Sequence, residues 1–196
     1  MTRLNDESDT EKPQSAGGLI EKALLDARTV MVTGEVNDKM ARSVTAQLLA
    51  LAEISDDPIT VIVSSPGGHV ESGDMIHDMI KFVGPKVRML GTGWVASAGA
   101  LIFCAAEPKD RYCLPNTRFL LHEPRGGIGG TASDVEIQAR EVIRMRSRLN
   151  KIFAEATGQP LERIEKDVER DYWMLADDAI AYGLVNKIVH KAKDLK

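Results

Sequence analysis

Ser97 is the first residue whose setting could support chemistry. It lies in Gly91-Thr-Gly-Trp-Val-Ala-Ser97-Ala-Gly-Ala-Leu-Ile-Phe103. An apolar strand pattern (Val87, Met89, Leu90) precedes it, and a helical run of small and apolar residues, Ala98 to Ala106, follows it. A hydroxyl at a strand-to-helix turn is held in place and faces the positive end of the helix dipole. Ala96, Ala98 and Gly99 let a substrate backbone approach closely. That is a setting for a nucleophile; a plain helix cap is the alternative use of the same position. The nucleophile-elbow pattern Gly-x-Ser-x-Gly is not matched, because Val95 stands where the first glycine belongs.

A serine nucleophile needs a base, an acid that orients the base, and donors for the oxyanion. The four histidines are His69, His77, His122 and His190. His122 ends the apolar run Phe119-Leu-Leu and precedes Pro124, so it is held at a strand's end beside a turn. This suits a base; a partly buried structural histidine is the alternative. His77 is expected on a polar helix face and His190 near the charged C-terminus, both solvated. Gly67-Gly68 follows a buried strand and offers a backbone N–H that no side chain shields, an oxyanion donor or simply part of a Pro-Gly turn. For the orienting acid, spacing does not choose among Asp167, Asp171, Asp177 and Asp178.

These side chains must be carried by a fold, and the pattern is α/β. Helices are expected over Leu19–Ala27, from Asn37 or Asp38 through the Met40, Val44, Leu48, Leu51 face, up to Phe82, and from Ser97. Strands are expected at Thr29–Thr33, Ile59–Val63, Val87–Leu90, Arg111–Leu114, Arg118–His122 and Leu184–Val189. Ile59–Val63 shows almost no polar alternation, as in a parallel strand buried on both faces. Repetition of strand, turn and helix sets the class. Gly126-Gly127-Ile-Gly129-Gly130 has no phosphate-loop lysine, so a mobile segment or a strand with close backbone approach fits it. The longest helix pattern then runs from a Ser133-Asp-Val-Glu136 capping box to Gly158. About 24 residues give a rod of roughly 36 Å, long enough to project and to need a partner chain for its apolar residues. Shorter helices are expected over Leu161–Val168 and Ala176–Tyr182.

Composition narrows the classes. The 196 residues suit one domain with a sizeable core. A net charge of −4 does not favour nucleic acid. No apolar run approaches the ~20 residues of a membrane span. Residues 1–18 are polar and acidic, lack the features of a secretory or transit leader, and read as a disordered tail. Residues 19–190 read as the folded domain, residues 191–196 as a charged tail, and the cytoplasm as the location. Cys104 and Cys113 lie in apolar surroundings without a C-x-x-C pair, so buried free thiols are expected rather than a metal or redox site.

Seven short segments together carry a family resemblance. Ser65-Pro-Gly-Gly68, Ala96-Ser-Ala-Gly99, Cys113-Leu-Pro-Asn116, His122-Glu-Pro, Gly126-Gly127, Glu169-Arg-Asp171 and Tyr182-Gly-Leu-Val185 occur in this order over Val30 to Val189. In order and spacing the chain resembles the proteolytic subunit of the Clp protease (caseinolytic protease P). The resemblance implies a crotonase-like fold of stacked strand-strand-helix units with a projecting handle helix, at about residues 133–157. It implies a serine endopeptidase with Ser97 as nucleophile, His122 as base and Asp171 as the orienting acid. The N–H groups of Gly68 and Ala98 would form the oxyanion hole, and Gly126-Gly127 the strand that pairs with substrate. Glu169 and Arg170 would meet a facing ring.

The implied assembly is two stacked seven-membered rings, homomeric or mixed with a paralogue, served by a ring-shaped ATPase that unfolds protein substrates. No metal or cofactor is implied. The chain departs from the family's usual residues at Trp94-Val95, Glu123, Thr60, Ile62 and Thr131. A non-catalytic ring subunit and a crotonase-type acyl-CoA enzyme are the competing readings. A complete Ser-His-Asp set argues against both.

Overall fold

The computed structural model describes residues 16–127 and 129–195. Its centre is a parallel sheet. β1 (Thr29–Thr33), β2 (Ile59–Ser65), β3 (Val87–Ala96), β4 (Arg111–Cys113) and β7 (Lys187–Ile188) lie in the order β1-β2-β3-β4-β7. Ile59, Val61 and Val63 of β2 are fully buried on one face, whereas Thr60, Ile62 and Ser64 on the other are only half-buried, so the apolar run overstates burial on that face.

Helices α1 (Ala16–Asp26), α2 (Asp38–Ile54), α3 (Val70–Phe82) and α4 (Ala98–Phe103) intersperse with the first strands. α2 starts at Asn37, whose side chain accepts from the Met40 N–H at 3.0 Å, one orphan donor satisfied. At its other end Arg28 donates to the carbonyls of Leu51, Ser55 and Asp57, which ties the chain around the C-terminus of α2 to the start of β1.

β3 is longer than the Val87–Leu90 run suggests. Gly91 and Gly93 do not end the strand, which bends there and continues to Ala96. Below the bend β3 pairs with β4, from Met89 to Gly91. Above it, Trp94 to Ala96 pair with β5 (Arg118–Leu121). Gly93 takes φ +61, and Thr117 Oγ1 donates to the Gly91 carbonyl at 3.0 Å. Glycine inside a strand is the mark of such a bend. β6 (Tyr172–Leu175) pairs antiparallel with β5. The bend therefore lets the one seven-stranded sheet branch, and the branch brings the ends of β3, β5 and β6 together.

The remaining helices are α5 (Ala132–Thr157), α6 (Leu161–Asp167) and α7 (Ala176–Ala181). In α5 only Leu149, Asn150 and Phe153 are buried. Val135, Ile137 and Ile143 are exposed, so the N-terminal part projects as its length implied. Gly158 stops the helix in the left-handed conformation, φ +72. The cap lies two residues earlier than Ser133. Thr131 and Asp134 form the capping box, with Asp134 Oδ2 accepting from the Thr131 N–H at 2.9 Å. Two overlapping patterns of hydroxyl and acid exist here, and the earlier one wins because it adds hydrogen-bonded helix.

Other expectations shift. α1 begins at Ala16, inside the stretch read as tail, with Gly17 and Gly18 in its first turn. Residues 1–15 of that stretch lie outside the described residues. The C-terminal end holds a 3-10 turn, Ala192–Leu195, with Asp194 accepting from the His190 and Lys191 N–H groups. The last strand shortens to Lys187–Ile188, because Leu184 and Val185 turn back to the Ala179 carbonyl. His77 is buried, not solvated, at 6% exposure. α2 and α4 both pack on α3, which narrows its polar face. His190 is exposed. Cys104 and Cys113 are buried free thiols, and burial pushes both up to about 11, which makes them inert at neutral pH.

Candidate active site

Ser97 stands at the tip of β3, immediately before α4. Its backbone has φ 54 and ψ −122, a conformation costly for a residue with a side chain. Three interactions hold it there. Its N–H donates to the Leu120 carbonyl at 3.0 Å, and its carbonyl accepts from Ala100 and Leu101. Gly67 packs so closely that a Cβ there would lie 2.5 Å from Ser97 Cβ and 2.9 Å from the Ala96 carbonyl oxygen. The strained turn of a nucleophile elbow is thus present although its sequence pattern is not. The close-approach glycine comes from the neighbouring strand's end instead of from position 95.

The loop after β2 is pinned rigidly. Ser65 Oγ donates to the Gly34 carbonyl at 2.6 Å and accepts from the Gly67 N–H. Val36 receives the His69 N–H and gives its own N–H to Gly67. At Gly68, φ +145, a Cβ would sit 2.3 Å from the Val36 carbonyl oxygen, so only glycine fits. These bonds leave the Gly68 N–H without a partner among the described residues, and the Ala98 N–H, first in α4, is likewise unpaired. An oxyanion is stabilised by backbone amides left unpaired in this way.

His122 follows β5 and Asp171 precedes β6, so the antiparallel pairing of these strands brings together residues 49 apart. His122 Nδ1 lies 3.0 Å from Asp171 Oδ1. Among the four acids left open by spacing, Asp171 is the one that meets the histidine; Asp167 instead accepts from Tyr182 at 2.8 Å. The His122 hydrogen bond, aided by the Arg125 guanidinium, holds the Asp171 carboxyl below the usual carboxylate range. An ionised carboxylate only accepts, so Nδ1 carries a proton in this contact. Ser97 and His122 line one small cleft with Val70, Ala98, Leu101, Pro124, Leu149 and Phe153. The Ser97 hydroxyl makes no hydrogen bond to His122 in this structure, and proton transfer requires closing that gap to about 2.6–3.2 Å.

Arg125 was not expected here. Its Nη2 donates to the same Asp171 Oδ1 that receives His122. It lies 46 residues from Asp171 in sequence, and only the strand pairing reveals the contact. Gly126 and Gly127 follow it. They lie outside every strand, and a Cβ on either would meet nothing within 4 Å; the expected strand is not formed, and no backbone approaches closely. Glu169 and Arg170 are exposed on the turn between α6 and β6. Among the described residues, no cluster of His, Cys, Asp and Glu could hold a metal.

Comparison with known proteins agrees with this geometry. The sequence model of the family "Clp protease" matches residues 14–192. The chain is 57% identical over 207 residues to the ATP-dependent Clp protease proteolytic subunit 2 of Gluconobacter oxydans, covering 100% of this chain and 93% of the relative. It is 61% identical over 167 residues to the ATP-dependent Clp protease proteolytic subunit of Paracoccus denitrificans, covering 85% and 84%. Among solved structures it is similar to ClpP1 from Listeria monocytogenes, with TM-score 0.82 and 50% identity over 90% of this chain and 99% of that one. A point mutant of that protein gives TM-score 0.85. From the strained serine to the His–Asp pair, and over nearly its whole length, the chain belongs to the Clp protease family and is a serine peptidase of its proteolytic-subunit type.

Proposed function

We propose that Ser97, His122 and Asp171 form the catalytic triad of a self-compartmentalising endopeptidase. The Ser97 Oγ attacks the scissile carbonyl carbon while its proton passes to His122 Nε2. The oxyanion is received by the N–H groups of Gly68 and Ala98. His122 then gives the proton to the leaving amine, and an acyl ester on Ser97 remains. Water attacks the ester with His122 again as base, which releases the acid and restores the hydroxyl. Asp171 orients the imidazole throughout. Gly126-Gly127 pairs with the substrate backbone, becoming a strand only when peptide supplies the partner.

The observation that carries this reading is the 3.0 Å His122–Asp171 contact beside a cleft shared with the strained Ser97. We read the assembly as two stacked heptameric rings, homomeric or mixed with a paralogue, in the cytoplasm. A ring-shaped ATPase would unfold and deliver protein substrates, as the relatives' name "ATP-dependent" suggests. The apolar residues on the projecting part of α5 support a ring-to-ring contact, with Glu169 and Arg170 at its edge. Among the described residues no helix is long and apolar enough to cross a membrane.

Hydrolysis of unstructured peptides by purified wild type and Ser97→Ala tests the triad. Ser97→Ala should lose turnover by at least about 10³-fold while still folding and assembling. Substantial turnover by that variant would refute the assignment.

A further inference from the structure

Arg125 bonds the orienting carboxylate and sits at the head of the Gly126-Gly127 segment. Asp171 Oδ1 therefore has two claimants, the His122 imidazole and the Arg125 guanidinium. From this geometry we infer that Arg125 is a positioning residue of the peptidase site. It fixes Asp171 against His122 and sets how readily the imidazole takes up a proton. The inference rests on the triad reading above.

The physical reasoning is electrostatic. A lone carboxylate beside an imidazole favours the imidazolium. A guanidinium on the same oxygen offsets part of that negative charge and places a positive charge near the ring. The base then stays neutral, and able to accept the serine proton, to lower pH. Both partners are partly open to water, with the Arg125 side chain 62% and the Asp171 side chain 42% exposed, so the effect is moderate and sensitive to salt.

Among the described residues, no other charged side chain pairs with Asp171. On the flanks, Glu123 pairs with Arg146 of α5 at 3.4 Å, and Asp167 pairs with Arg163 of α6. Glu169 and Arg170, just before Asp171, are exposed, and Tyr172 packs against Tyr182 with the rings tilted. The bond also ties the segment that meets substrate to the acid that orients the base, so a peptide settling on Gly126-Gly127 would act directly on Asp171.

The test compares wild type, Arg125→Leu and Arg125→Lys as the full chain, by the rate of fluorophosphonate labelling at Ser97 and by kcat/KM for a peptide, each across pH. Labelling depends on the base but not on peptide binding, so it reads the site even where a variant binds peptide poorly. Arg125→Leu should move the acidic limb of both profiles upward by about half a pH unit at low salt. The shift should shrink in about 1 M salt, and Arg125→Lys, which keeps the charge, should stay near wild type. Identical limbs in Arg125→Leu and wild type, with Ser97 labelled in both, would overturn the role of Arg125 and leave the triad standing. Absence of any Ser97 adduct in wild type would overturn the triad, and the role of Arg125 with it.

Discussion

Replacing Gly67 by alanine should damage the site without touching any triad residue. Gly67 takes φ +95, and the new methyl carbon would meet Ser97 Cβ at 2.5 Å, the Ala96 carbonyl oxygen at 2.9 Å and the Ala98 amide nitrogen at 3.0 Å. None of these atoms is the loose end of a flexible side chain. The positive φ costs roughly 1–2 kcal/mol for a residue with a Cβ, and forcing a methyl into packed surroundings costs about 1–3 kcal/mol more. Together these give about 2–5 kcal/mol. At about 2–4 °C per kcal/mol for a chain of this size, the melting temperature should fall by roughly 4–20 °C.

Relief must come from movement of the Ser97–Ala98 turn or of the 65–69 loop. Either motion separates the hydroxyl from the oxyanion donors, and a displacement near 1 Å can cost about 10²-fold in rate. Thermal unfolding and the Ser97 labelling rate, measured well below the melting temperature, read the two effects separately. Gly84→Ala is the control, since nothing lies within 4 Å of its Cβ position. A Gly67→Ala protein that melts and labels like wild type would show that the glycine does not brace the serine.

Three further outcomes follow from particular contacts. Arg28→Ala removes the donors to the Leu51, Ser55 and Asp57 carbonyls, so it should lower stability by about 1–3 kcal/mol in denaturant unfolding with peptidase chemistry intact; an unchanged midpoint would contradict this. The Thr131 hydrogen bonds hold the Asp134 carboxyl below its ordinary value of 3.8, so its contribution to the α5 cap is fully present above that pH and is lost as pH falls through the lower folded value; Asp134→Asn should raise amide exchange in the first turn of α5 at neutral pH, and the difference from wild type should vanish in strong acid. Arg170→Glu should give single rings of low activity in sedimentation and peptidase assays, since like charges would then face each other across the ring contact, and fully active double rings would refute that contact.

Much of the site was legible because each part has a local signature. Ser97 stands between a strand pattern and a helix pattern, His122 closes an apolar strand before Pro124, and Gly67-Gly68 follows a buried strand. The acid was not legible from spacing. Asp171 is selected by the β5–β6 pairing, and β6 was not marked by any alternation in Tyr172-Trp-Met-Leu. Arg125 was hidden for the same reason, since a long-range register sets its contact. The continuation of β3 past Leu90 was not legible because glycine serves turns and strand bends alike, and only the Thr117 bond and the two pairings of β3 show which use applies at Gly91 and Gly93. His77 was misplaced because helical periodicity gives one apolar face, whereas α3 is flanked by two helices.

The claim that Ser97 is an activated nucleophile is tested most directly by covalent labelling. Wild type, Ser97→Ala and His122→Ala are treated with a fluorophosphonate probe, and the modified residue is mapped by peptide mass spectrometry. One adduct per chain at Ser97 is expected in wild type, none in Ser97→Ala, and labelling slower by several orders of magnitude in His122→Ala. An unlabelled wild type that is folded and assembled, or an adduct on a different serine, would contradict the assignment.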